Sequence, residues 1–498
     1  MSMMLYADTT PLVQAIAGGD EAAVIRETLK LLGQRNLKPS KVGGRVGIDA
    51  LWGGATPRAL GALAVAGRIT DWMKAIPLGP EPGEEERRQL APAVPLVQGF
   101  MATQTAVRAN LQQGEPELPE PMEPMEIPGG KSVHQAISEA FAAHDVTTMR
   151  RVMLGLNATG ADYRALLEAI YVALRFRFVG GGAPLTGVVT ASEIMDMAEW
   201  GGRFPAFISW VTNLLADATP NSQIGETARA YAEDPAHDLS WMRTRLSIPA
   251  EEHAGASYQR ALLAGDATAA CDATLAALRA GATPRGVVNG MALAVAERIN
   301  TIGLGDTAAL TAAGQTLLYV HAVGTAMRQT QHHDVWPMLY TASVAVNALN
   351  ASVPVGAAPL PAAASMPVSG GLIGSTLIRT VEQSAQSGDI PGAIAASRRF
   401  MQLENTPRAL AGVVGLVAAR SGVSGGTNVS DDTPTAAQFI AAAADEYLSL
   451  RPALTSGGQN ALLTAAVRMA AELRGDHALA DRVESAIEQS SRAQAGRN

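Results

Sequence analysis

A phrase that returns at fixed spacing constrains this chain more than any single motif in it. Gly265-Asp266 is followed 18 residues after the Asp by Pro284, within Ala282-Thr283-Pro284-Arg285, and Gly388-Asp389 stands at the same distance from Pro407, within Asn405-Thr406-Pro407-Arg408. Weaker echoes lie at Gly19-Asp20 with Pro39, at His144-Asp145 with Thr159-Gly160, and at Gly475-Asp476. An Asp after a flexible Gly caps the free N–H groups of the next helix, and Thr-Pro supplies an N-cap followed by a residue that needs no donor in the first turn. Each phrase therefore marks boundaries between helices. Between the boundaries, runs such as Pro284 to Ile299 carry apolar residues at three and four spacing. One such helix cannot bury its apolar face alone, so copies must stack on their neighbours. The expected fold is all-α, as stacked helical repeats or a multi-helix array with Pro-rich linkers.

Composition supports that class and narrows the partners. Aromatic residues make up only 4% of the 498, and abundant small side chains let helices approach closely, whereas a β-sandwich would need more Val, Ile and aromatics. A net charge of -8 without Lys/Arg blocks argues against nucleic acid. Cys271, the single cysteine, rules out an internal disulfide or a Cys-based metal cluster, and its Ala-rich helix predicts a buried, inert thiol. Met1 to Asp8 has no basic segment followed by an apolar core, and no run of 18 apolar residues follows, so a cytoplasmic protein with no membrane partner is expected.

The expected organisation is an N-terminal helical unit over 1–110, an acidic Pro-rich linker over 111–130, a second helical unit over 131–250, a third over 251–350, an Ala/Pro-rich linker over 351–370 and a C-terminal unit over 371–498. In the first unit, Lys38 to Gly54 holds Gly43-Gly44-Arg45-Val46-Gly47 and reads as a turn-rich loop; without Gly-Lys-Ser/Thr and a preceding strand it is no phosphate loop. Gln112 to Gly130 alternates prolines with five glutamates and predicts a solvated connector that wraps the surface or separates two bodies, or a docking peptide for a basic partner. In the second unit, Thr190 and Glu193 fit a capping box for a helix running through Trp200. Thr455 to Glu472 and His477 to Gln494 read as a last pair capping the array.

Candidate chemistry gathers where the repetition fails. His332, His333 and Asp334 offer imidazole and carboxylate ligands suited to iron, manganese or zinc, or an acid/base group, if another helix completes the site, with Glu252 and His253 as one source. His321 cannot join them on one straight helix, because 11 residues span about 16 Å. His134, His144 and Asp145 form a second group, in which His144 replaces the turn glycine. Arg175 and Arg177 precede Gly180-Gly181-Gly182; two residues apart, they do not share a helix face, and one would enter a groove to hold an anionic ligand. Trp200, Trp210, Trp241 and Trp336 would line the core or face a small apolar ligand. No Gly-x-Ser-x-Gly, His-Glu-x-x-His or Glu-x-x-His pattern occurs.

The stretch Leu174-Arg175-Phe176-Arg177-Phe178-Val179-Gly180-Gly181-Gly182, with Gly314-Gln315-Thr316-Leu317-Leu318 before His332-His333-Asp334, resembles bacterial α-helical regions attached to Rieske ferredoxin-like modules, and also questin-oxidase-like proteins. The second resemblance implies oxidation of polyketide-derived rings. It implies histidines flanking the basic-aromatic stretch, where this chain has Leu174 or Arg175 and Ala183 or Pro184; the lone Cys271 excludes an attached Cys/His Rieske cluster.

Two function classes remain open from the sequence. One is a non-catalytic helical-repeat interaction or assembly protein, meeting a protein partner or a second copy of itself. The other is a specialised-metabolism enzyme, an oxidoreductase or rearrangement catalyst, with a pocket between the central units near Arg175, His321, His332 and Trp336 and His332, His333, Asp334 and Arg175 as its catalytic residues. The sequence names no cofactor.

Overall fold

Left-handed glycines close the helices at the recurring phrase: φ is +72° at Gly19, +76° at Gly265 and +79° at Gly388, a region that a side chain disfavours. The following Asp then accepts from the backbone three residues on, at 3.0 Å for Asp20 to Ala23, 2.9 Å for Asp266 to Ala269 and 3.0 Å for Asp389 to Gly392. His144 takes the same turn at φ 54°, and Asp145 caps the next helix through the Thr148 N–H. Thr283 caps the helix opened by Pro284, accepting from Gly286 at 3.0 Å.

The computed structural model describes residues 8–34, 37–77, 84–244, 254–330, 332–353, 374–403, 406–421, 434–449 and 456–495. These form 24 α-helices and no strand. The first seven are α1 (Thr10–Gly18), α2 (Glu21–Leu32), α3 (Pro39–Trp52), α4 (Pro57–Met73), α5 (Glu84–Leu90), α6 (Ala93–Ala102) and α7 (Gln104–Gln113). Six follow: α8 (Val133–Ala142), α9 (Val146–Ala158), α10 (Tyr163–Leu174), α11 (Ala183–Met197), α12 (Phe204–Leu215) and α13 (Gln223–Ala232). Next come α14 (Ala256–Leu262), α15 (Ala267–Arg279), α16 (Pro284–Thr301), α17 (Thr307–Gln329) and α18 (Met338–Ser352). The last six are α19 (Gly374–Ser387), α20 (Ile390–Leu403), α21 (Pro407–Arg420), α22 (Ala436–Ser449), α23 (Ser456–Glu472) and α24 (Ala478–Ala495). Among the described residues no helix is long and apolar enough to cross a membrane.

One succession of helices recurs four times. A first helix pairs with a second in α1/α2, α8/α9, α14/α15 and α19/α20, and the second packs on a fifth in α2/α6, α9/α12, α15/α18 and α20/α23. The fourth helices, α4, α11, α17 and α22, meet at the centre: α4 touches α11, α11 touches α17, α17 touches α22, and α22 returns to α4. The array thus closes on itself. The final helix, α24, bridges its two ends by packing on α2, α5, α6 and α21 rather than capping an open stack, and Arg482 pairs with Glu21 across that seam.

Two local expectations need correction. Lys38 to Gly54 is not a loop: α3 occupies most of it, because its glycines let α3 press against α11. A Cβ on Gly44 would stand 2.5 Å from the Met197 carbonyl carbon and 2.6 Å from the Ala198 nitrogen, so backbone meets backbone there. Thr190 and Glu193 do not cap a helix; they lie inside α11, whose start is set by Gly182 at φ +88° and by Pro184, which needs no donor in the first turn. The acidic proline tract is a strap held to α9, with the Met122 N–H donating to the Arg151 carbonyl at 2.9 Å and Arg151 Nε donating to the Glu120 carbonyl at 3.0 Å. Residues 354–370 of the second linker lie outside the described residues.

Cys271 is fully buried in α15, and burial pushes its thiol up to about 12. A thiol so placed holds little thiolate at neutral pH. Native protein is therefore expected to give no reaction with a thiol-specific disulfide reagent over the time in which a denatured sample titrates one thiol per chain; a fast native reaction would contradict the packing of α15.

Candidate functional site

Two groups of ionisable side chains stand out, one in the central ring and one at the seam between the second and third runs of helices. In the ring, each fourth helix contributes to one cluster. Arg68 of α4 forms ion pairs with Glu193 of α11 and Asp445 of α22. His321 of α17 donates from Nδ1 to Glu446 Oε1 at 2.7 Å, while its Nε2 lies 3.7 Å from Asp445 Oδ2. Burial works against the charge on Arg68, yet Asp445 and Glu193 hold its pKa above the usual value. Burial raises the Asp445 carboxyl, with Arg68 and His321 opposing. His321 Nε2 and Glu446 Oε2 are buried without a hydrogen-bond partner among the described residues. The adjoining cavity, lined by Arg68, Glu193, His321 and Gln438, measures about 20 Å³. That is room for a single water and none for an organic substrate. His321 therefore belongs to the core, not to a pocket shared with His332.

At the seam, α17 ends at Gln329 and the chain turns extended at Thr330 before α18, which releases His332 and His333 from helical spacing. His332 stacks on His134 of α8, with ring centroids 4.6 Å apart and an 18° tilt. His134 Nε2 donates to Glu168 Oε1 of α10 at 3.1 Å, and Thr330 Oγ1 donates to Glu168 Oε2. His134, Glu168 and His332 each offer a ligand atom, all within 4.8 Å of one another; His332, His333 and Asp334 form an overlapping group of the same span. About a quarter of each of the four His and Glu side chains is exposed. Burial lowers the His134 pKa, with His332 adding to the effect and Glu168 opposing it, so His134 favours the neutral form that ligates metals.

His333 lies against His332, with ring centroids 4.7 Å apart and a 32° tilt. The Arg243 guanidinium lies against its ring, its Nε2 stands 3.2 Å from Asp334 Oδ1, and its edge meets Trp336 at 6.4 Å. Arg175 caps the end of α10, donating from Nη1 to the Val172 carbonyl at 2.6 Å and lying 5.3 Å from the centre of the Phe176 ring. Burial lowers its pKa and Asp334 raises it, so the two residues share one electrostatic neighbourhood.

The structure brings His332, His333 and Asp334 together at this seam with His134, which the sequence had grouped with His144, and with Glu168, while Arg175 joins them only as a charge near Asp334. His134 joins His332, not His144, which forms a turn; Glu168 was missed altogether. Glu252 and His253 lie outside the described residues. Trp200 stacks on Tyr163 at 4.5 Å, Trp210 donates to the Ala55 carbonyl, and Trp336 is buried, so these three tryptophans are core.

A larger concavity lies elsewhere. A groove of about 800 Å³ runs between α2 and α24, with Ile25, Leu29, Leu90 and Ala486 on its walls and Arg26, Lys30 and Arg482 at its rim. No known protein family, curated protein or solved structure matches this chain.

Proposed function

We propose that this protein is a non-catalytic helical-repeat protein that works by holding a partner helix in the α2–α24 groove. The groove carries the reading: it lies between two helices, with apolar residues on its walls and charged ones at its rim, the combination by which an amphipathic helix is recognised. Glu27 pairs with Arg26 and Lys30, and Glu21 pairs with Arg482, so the rim holds three cations against two carboxylates. A partner helix with Asp or Glu beside its apolar stripe complements it.

A synthetic amphipathic peptide with acidic flanks is expected to bind the full chain in fluorescence anisotropy more tightly than its Lys-flanked counterpart. Leu29→Glu is expected to weaken that binding at least about tenfold, as loss of an apolar anchor does. Equal binding of both peptides, or no effect of L29E, overturns the reading. If native mass spectrometry instead finds a dimer, amine cross-links concentrated at Lys30, one of only five lysines, would make a second copy the occupant.

The gathering of His332, His333, Asp334 and Arg175 favours a second reading, an oxidoreductase or rearrangement catalyst at the seam. Consumption of a metabolite from an extract by the wild type, abolished in an H332A/H333A variant, supports it; identical profiles remove it.

A further inference from the structure

The structure assigns a metal site to the seam: we propose that His134, Glu168 and His332 bind one zinc-class divalent ion, which staples α8 and α10 to the turn between α17 and α18. The inference is independent of the partner groove, which is built from other helices.

The donor set has the right chemistry. Two imidazoles and one carboxylate suit a borderline ion such as Zn(II), and poorly suit Mg(II) or Ca(II), which take oxygen. The geometry is close to what such an ion needs. Donors about 2.0–2.2 Å from a tetrahedral zinc stand roughly 3.4 Å from one another. His134 Nε2 and Glu168 Oε1 are already 3.1 Å apart, and the whole triad lies within 4.8 Å. Fanning the stacked His134 and His332 rings apart, by side-chain rotation alone, supplies the remaining adjustment.

The surroundings orient the donors as metal sites require. Thr330 Oγ1 fixes one oxygen of Glu168 and also accepts the His332 backbone N–H at 3.1 Å, so one hydroxyl ties together two of the three ligand residues. His332 Nδ1 accepts the Asp334 backbone N–H at 3.3 Å and stands 3.7 Å from Asp334 Oδ2. Binding an ion on Nε2 would move the ring proton to Nδ1, which would then give up the Asp334 N–H and turn to the nearby Asp334 carboxylate, the carboxylate–histidine–metal arrangement. Glu168 and Asp334 together balance the two charges of the ion. His333 is held by Arg243 and is not a ligand. Three protein donors leave a tetrahedral ion one position, which solvent takes.

The function of such a site follows from where its ligands come from. α8 and α10 belong to the second run of helices and His332 to the third, so bound metal ties two runs together and binds the folded chain in preference to the unfolded one.

The test uses the untagged full chain, stripped with chelator and titrated with Zn²⁺ by calorimetry, with Mg²⁺ as the oxygen-seeking control. One equivalent of zinc is expected, with a rise in melting temperature that increases with zinc concentration. Removing a ligand in H134A, H332A or E168Q is expected to lower affinity at least about 100-fold, beyond the 10–100-fold loss expected for the outer partner in D334N. H144G, at the turn histidine, is expected to bind as the wild type does. Cobalt(II) in place of zinc reports the coordination by its visible spectrum, which must change in H332A, and circular dichroism confirms that each variant is folded. Failure of the wild type to bind, or binding by H134A and H332A as tight as by the wild type, overturns the proposal. Because D334N alters an exposed side chain, it tests the site even if a ligand variant unfolds.

Discussion

Arg468→Leu is expected to destabilise the protein by about 3–5 kcal/mol, the range for removing one partner of a buried ion pair. Arg468 has no exposed side-chain surface, and all three of its nitrogens are used. Nε donates to Glu472 Oε1 at 2.7 Å, Nη1 to the Ile299 carbonyl at 2.7 Å, and Nη2 to the Gly303 carbonyl at 3.0 Å. Ile299 and Gly303 lie at the end of α16 and in the turn beyond it, and their carbonyls also accept the Ile302 and Asp306 N–H groups at a longer 3.3 Å. Glu472 Oε2 accepts the Gly305 N–H of the same turn at 2.9 Å. One Arg–Glu pair on α23 thus grips the turn between α16 and α17, and leucine would leave a buried carboxylate without its cation and take from two carbonyls the shorter of their two bonds. Urea titration should show a lower midpoint with an unchanged slope. Arg468→Lys keeps the charge without the fork and should fall between the two. A midpoint for R468L equal to that of the wild type would show that α23 does not hold this turn.

The helix boundaries were legible because they depend on chemistry within a few residues. Asp20, Asp266 and Asp389 cap their helices through bonds that span three positions, and the sequence spells such bonds out. Lys38 to Gly54 misled for the converse reason: Gly44 and Gly47 serve contact with α11, which lies far along the chain, and not freedom of the local backbone. The seam was half legible. His332, His333 and Asp334 are consecutive, but His134 and Glu168 reach them only through packing, and an acidic residue on the polar side of an amphipathic helix looks like any solvated Glu. The ring cluster left only a faint signal: Arg68 and Glu193 sit in helices with few charges, where a solvated helix would show a broader polar stripe. A charge on such a helix needs a partner, although the sequence does not say which one.

Arg68→Met is the second large effect expected, and it tests whether that ring depends on its one shared cation. Arg68 reaches Glu193 and Asp445 from a third helix, so methionine would leave two carboxylates facing each other at the centre with Glu446 beside them. The cost is again about 3–5 kcal/mol at neutral pH. Its pH dependence follows from Asp445, whose folded pKa burial already raises and which would rise further without Arg68. A carboxyl raised in the folded state favours folding fully below its unfolded pKa, about 3.9, and loses that contribution as pH climbs through the folded value. The deficit of R68M should therefore narrow as pH falls toward about 4 and widen again toward neutrality. The triple variant R68M/E193M/D445M removes the charges together and should recover most of the loss, since apolar replacement of a whole buried ionic group is often neutral or stabilising. Recovery would assign the cluster to specifying which four helices meet, not to stability. A triple variant as unstable as R68M would instead show that the carboxylates stabilise the ring through their remaining partner, His321.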